Sequence, residues 1–102
     1  MILAIDFDHT IYFEDMRHVN IPLIEKLIKA RRNGHKLILW TCRGGEHLAE
    51  AIKECLDYGL SFDAVNENIK GRAYENVSVK VVADLYIDDK APNSIGYFME
   101  NF

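Results

Sequence analysis

Three short apolar runs in this chain stop abruptly on a carboxylate or a hydroxyl. Residues 2–5 (Ile-Leu-Ala-Ile) run into Asp6, residues 37–40 (Leu-Ile-Leu-Trp) into Thr41, and residues 81–87 (Val-Val-Ala-Asp-Leu-Tyr-Ile) into Asp88 and Asp89. A weaker run, 62–65, lies between the last two. Apolar runs of this length read as strands buried on both faces, as in a parallel sheet.

Helical patterns separate the runs. Leu23, Ile24, Leu27 and Ile28 fall at three- and four-residue spacing, and Leu48, Ala49, Ile52, Cys55 and Leu56 repeat the pattern. Asn20 is placed to cap the first helix, Pro22 falls in its first turn, and Gly34 stops it; Gly59 stops the second. A last helix is expected within 91–102, starting near Pro92 and Asn93. Strands alternating with amphipathic helices predict an α/β fold: a doubly wound, Rossmann-like parallel sheet of about four strands with helices on both faces. The 102 residues suffice for one domain, 1–102, with one core. Residues 11–19 and the loop 66–83 are too short to hold a cap domain, so the site is expected to be open.

Charge and composition narrow the partners. The 16 acidic and 12 basic residues give a net charge of −4, which makes a nucleic-acid partner the least favoured. There is no signal-peptide layout and no apolar run long enough to span a bilayer. Cys42 and Cys55 are isolated and read as free thiols. A cytoplasmic protein without a membrane partner is the resulting expectation.

The strand ends carry the chemistry. In open parallel sheets, ligands gather at the carboxyl ends of the strands. Asp6 and Asp8 can converge there from either side of a turn, and Asp88 and Asp89 add a second acidic pair. Carboxylates crowded in one crevice resist ionisation unless a cation sits among them. An all-oxygen donor set suits Mg²⁺ shared with a phosphate. Thr41 offers a hydroxyl, Arg43 a guanidinium and Lys80 a point charge, as phosphoryl transfer requires. Lys70 rivals Lys80, and His9 is a further candidate for substrate contact. His18, His35 and His47 lack metal-ligand spacing. Asp84 reads as structural.

Asp6-Phe7-Asp8-His9-Thr10 resembles the DxDxT signature of the haloacid dehalogenase (HAD-like) superfamily. Thr41 at its strand end resembles that superfamily's second motif. Asp84-Leu85-Tyr86-Ile87-Asp88-Asp89 is similar to the DxxIDD segment of deoxyribonucleotidase-like members. The resemblance implies a small capless Mg²⁺-dependent phosphohydrolase acting on a small phosphorylated substrate through an aspartyl phosphate. It implies Asp6 as nucleophile and Mg²⁺ ligand, and Asp8 as general acid/base with its backbone carbonyl on the metal. Thr41 and Lys80 would bind the phosphoryl group, Asp88 and Asp89 would hold Mg²⁺, and Thr10 would brace the loop. Capless members act on large substrates or borrow a neighbouring subunit as a lid, so a homo-oligomer is a further expectation. His9 stands where Gly is commoner, and the turn there must accommodate a side chain.

Three other readings fare less well. A receiver-like phosphoacceptor domain needs an Asp where the middle strand offers Thr41. A cysteine phosphatase built on Cys42 needs an arginine where Leu48 stands. A non-catalytic phosphate- or Mg²⁺-binding module on the same fold is expected to have lost the nucleophile, whereas Asp6 is intact.

Overall fold

The computed structural model describes residues 1–71, 81–91 and 93–102. In chain order these form β1 (Ile2–Ile5), β2 (Tyr12–Phe13), β3 (His18–Val19), α1 (Ile21–Arg32), β4 (Lys36–Leu39), α2 (Gly45–Asp57), β5 (Ala64–Val65), β6 (Leu85–Ile87) and α3 (Ser94–Asn101). The main sheet has the order β5-β4-β1-β6, and every pairing in it is parallel. The fold is thus α/β with a four-stranded Rossmann-like sheet. No cap module is inserted among the described residues.

Residue alternation along the strands divides the core. Leu3, Ile5, Leu37, Leu39 and Ile87 project to one face and cluster with Leu23, Ile24 and Leu27 of α1, Ala51 and Cys55 of α2, and Phe98 of α3. Ala4 and Ile38 project to the other face and meet Ala64, Ile69 and Val81, with Trp40 and Tyr86 alongside. Helical cover is therefore seen on one face among the described residues. The second face carries Ile69 and Val81. Leu3, Ile5, Leu37 and Leu39 are wholly buried, and each such side chain contributes about 1.5–3 kcal/mol on leaving water.

Helix boundaries follow the residues that signalled them. The Asn20 side chain accepts from the Leu23 N–H at 3.2 Å, and Pro22 lies in the first turn, where its missing N–H costs nothing. Gly34 and Gly59 follow α1 and α2 with φ of +96° and +86°, a region that disfavours a side chain. Leu56 of the expected apolar stripe is an exception and stays 59% exposed.

Two features depart from the sequence reading. The last strand is shorter than 81–87. The Val82 N–H donates to Asn68 Oδ1, the Tyr86 hydroxyl donates to the Val81 carbonyl, and the Ala83 N–H donates to that same hydroxyl. Three backbone groups of 81–83 are thus taken by side chains, and the ladder resumes where the Asp84 N–H donates to the Ile2 carbonyl. Residues 11–19 are also more than a connection: β2 and β3 pair antiparallel as a hairpin. Ile11 and Val19 anchor it in the core, and Tyr12 stacks on Phe7 with ring centroids 5.6 Å apart.

Asn20→Ala should lower stability by about 1 kcal/mol, seen as a lower midpoint of urea unfolding with an unchanged slope.

Candidate active site

Strand register builds the site. Ile5 pairs with Leu39 on one side and with Ile87 on the other, so β1, β4 and β6 end level. The next residues stay in step: Asp6 N–H donates to the Ile87 carbonyl at 2.9 Å and Trp40 N–H to the Ile5 carbonyl at 2.8 Å. Asp6 and Asp88 thereby become neighbours across the sheet. The chain leads from β1 towards β4 and β5 on one side, whereas β6 lies on the other. The pair therefore sits where the strand order reverses, the usual place for a ligand.

Asp6, Asp88 and Asp89 each offer one carboxylate oxygen, and the three oxygens lie within 4.8 Å of one another. The cluster disfavours charge. Burial, the neighbouring Asp88 charge and a hydrogen bond with Asp89 push the Asp6 carboxyl up to about 7 from 3.8. Its donor set is all oxygen, as a hard divalent cation such as Mg²⁺ requires.

Two hydroxyls hold the cluster's frame. Thr10, wholly buried, accepts from the Asp89 N–H at 3.1 Å and approaches Asp6 Oδ2 at 3.4 Å, tying the first motif to the last. Ser94, at the start of α3, accepts from the Asp88 N–H at 3.1 Å and donates to the Asp88 carbonyl at 2.9 Å. The Asp88 side chain also accepts from the Lys90 N–H at 2.9 Å. Ser94 went unnoticed in the sequence; a serine in the first turn after Asn93 reads there only as a helix start.

The loop after β1 is knotted around one acceptor. The Phe7 carbonyl takes the N–H groups of Thr10, Ile11 and Tyr12. Turning the chain this sharply puts His9 at φ 64°, the left-handed region that Gly prefers. The His9 side chain is exposed at the rim.

Asp8 does not join the acidic cluster. Arg43 grips it as a fork, Nε to Oδ2 at 2.9 Å and Nη2 to Oδ1 at 2.7 Å. That hydrogen-bonded pair holds the Asp8 carboxyl below the usual carboxylate range. The Arg43 guanidinium lies 4.7 Å above the centre of the Phe7 ring. Thr41 is half-buried: its N–H donates to Asn66 Oδ1 at 2.8 Å, and its hydroxyl accepts from the Arg43 N–H at 3.2 Å.

The remaining candidates are placed as follows. Lys80 lies outside the described residues; Lys70 is exposed. Asp84 accepts from the Ile2 N–H at 2.6 Å, at the amino end of the sheet and away from the cluster. His18 stacks on Phe13 and His35 packs edge-on against Phe102, neither near the carboxylates.

Two stability predictions follow from this geometry. His9→Gly should be neutral or stabilising by up to about 1 kcal/mol, and His9→Val destabilising by about 1–2 kcal/mol, in urea unfolding. Asp6 has a folded-state value above its unfolded 3.8, so its contribution to stability is full below that pH and is lost as pH rises through about 7. With chelator present, Asp6→Asn should unfold at higher urea than the wild type near about pH 8, and the gap should close towards about pH 4.

No protein-family model matches the chain, and no curated protein matches it. A solved structure of a conserved protein from Bacteroides thetaiotaomicron is 37% identical, with a TM-score of 0.80. The match covers 98% of this chain and 87% of that one. At that identity and coverage, the chain belongs to the same family as the conserved Bacteroides thetaiotaomicron protein.

Proposed function

We propose that the protein is a Mg²⁺-dependent phosphohydrolase of HAD-like type, cleaving a small phosphomonoester through an aspartyl phosphate. The observation that carries this reading is the convergence of Asp6, Asp88 and Asp89 at the strand ends, with oxygens within 4.8 Å. Three carboxylates so close repel one another, and a cation relieves that repulsion. Asp6, Asp88, Asp89 and the Asp8 backbone carbonyl are the residues to hold Mg²⁺. Once bound, the ion neutralises charge on the phosphoryl oxygens.

In the first half-reaction an Asp6 oxygen attacks phosphorus and the bond to the leaving oxygen breaks. Asp8 relays to that oxygen the proton that the phosphomonoester monoanion brings, leaving an acyl phosphate on Asp6. In the second, Asp8 takes a proton from water, the water oxygen attacks phosphorus, and Asp6 is released with inorganic phosphate. Acid–base help of this kind is worth about a hundred- to ten-thousandfold in rate. Thr41, with its hydroxyl at the end of β4, and Lys80 bind the phosphoryl group, and His9 meets the substrate from the rim.

The free thiols, Cys42 exposed and Cys55 buried, fit a cytoplasmic setting. No described helix is long and apolar enough to cross a membrane. With no cap among the described residues, a small phosphomonoester suits a lid lent by a second copy of the chain.

The test is phosphate release from a panel of phosphomonoesters, with Mg²⁺ and with chelator, for the wild type and Asp6→Asn. Turnover should require Mg²⁺ and fall to background in the variant. Mg²⁺ at ten times its Kd should stabilise the wild type by about 1.4 kcal/mol, and Asp6→Asn should lose most of that gain. Folded wild type that binds Mg²⁺ but turns over no ester would make the domain a binding or regulatory module.

A further inference from the structure

We infer that Arg43 is a positioning residue for Asp8, aiming the carboxyl group that serves the leaving oxygen, and not a ligand of the phosphoryl group itself. The inference rests on the phosphohydrolase reading above and assigns a different part of that reaction to Arg43.

The geometry leaves Arg43 little freedom to meet a phosphate. Its Nε and Nη2 are both committed to Asp8, at 2.9 and 2.7 Å. Nη1 points to the His47 carbonyl in the first turns of α2, at 3.4 Å. The guanidinium plane rests on Phe7, which is 1% exposed and is the residue between Asp6 and Asp8. The Tyr12 ring, on β2, lies 5.9 Å from the same guanidinium carbon. Its backbone is fixed as well, since the Arg43 N–H donates to Thr41 Oγ1. The Arg43 side chain is only 17% exposed, against 39% for Asp8.

A planar fork is suited to fixing the direction of a carboxylate, which a flexible ammonium is not. The fork uses one lone pair on each Asp8 oxygen. A carboxylate offers about four such sites, so the outer ones stay open to hold or receive a proton. Asp8 can therefore serve the leaving oxygen without leaving Arg43. Without the fork, Asp8 sits on a loop whose neighbour His9 is exposed, with no other side-chain hydrogen bond among the described residues to orient it. A misplacement of about 1 Å in such a group costs up to roughly a hundredfold in rate.

The experiment measures kcat and KM for Arg43→Ala and Arg43→Lys on three esters of rising leaving-group quality: an alkyl phosphate, phenyl phosphate and nitrophenyl phosphate. Proton donation matters most for the alkyl ester. Arg43→Ala should lose roughly ten- to a hundredfold in kcat there, and the loss should shrink steadily towards nitrophenyl phosphate. Arg43→Lys keeps the charge and the stem over Phe7 but not the fork, and should fall in between. It also serves as the measurement if Arg43→Ala does not fold. On phenyl phosphate, the loss from Arg43→Ala should disappear in an Asp8→Asn background, because the two residues act as one unit. Equal losses on all three esters, a change carried in KM alone, or full additivity with Asp8→Asn would make Arg43 a phosphoryl ligand and overturn the inference while leaving the phosphohydrolase intact. Absence of wild-type turnover on every ester would overturn both.

Discussion

The parallel register that seats β1 between β4 and β6 is the constraint on which the rest of the structure depends. Pairing Ile5 with both Leu39 and Ile87 ends three strands at one level and forces Asp6 and Asp88 together. A slip of one residue would turn Leu3 and Ile5 away from the helices and Ala4 towards them. The same slip would part the two carboxylates. The apolar packing that stabilises the sheet and the electrostatic strain at its end are therefore fixed by one set of backbone hydrogen bonds. That strain is visible in Asp6, which burial and its acidic neighbours push up to about 7.

Much of this frame could be read from the chain because its signals are local. Ile2–Ile5 and Leu37–Leu39 are uninterrupted apolar runs, and Asn20, Gly34 and Gly59 mark helix ends by backbone chemistry that needs no tertiary partner. The acidic positions were legible for the same reason, each following directly on a run. What escaped was set by side-chain contacts that hydrophobic periodicity does not register. Residues 81–83 look like strand, but three of their backbone groups are taken by Asn68 and Tyr86. The hairpin of β2 and β3 has only two residues per strand, too few for alternation to register, and it is held by Ile11, Val19 and the Phe7–Tyr12 stack.

The same distinction runs through the site. Residue types named the carboxylates but not how they divide. Asp6, Asp88 and Asp89 gather, whereas Asp8, two residues from Asp6, turns to Arg43. Nothing in the spacing of positions 8 and 43 announces a fork between them. The pairing arises because β1 and β4 are neighbours and Phe7 supplies a flat surface for the guanidinium. One carboxylate is thereby paired with a cation of the protein's own, while the other three lie together with oxygens within 4.8 Å of one another.

Ser94 extends the reach of the site further than its position suggests. Its hydroxyl clasps both the N–H and the carbonyl of Asp88, and it opens a helix seated in the core by Phe98, which is wholly buried. The C-terminal helix is thus a strut bearing on the acidic strand end. Loosening its far end, where Phe98 and Phe102 pack with ring centres 5.0 Å apart, would be transmitted along about two turns of helix to the Asp88 backbone. Through this lever, a change in the apolar tail of the chain could alter the spacing of oxygens in the crevice without touching any of them.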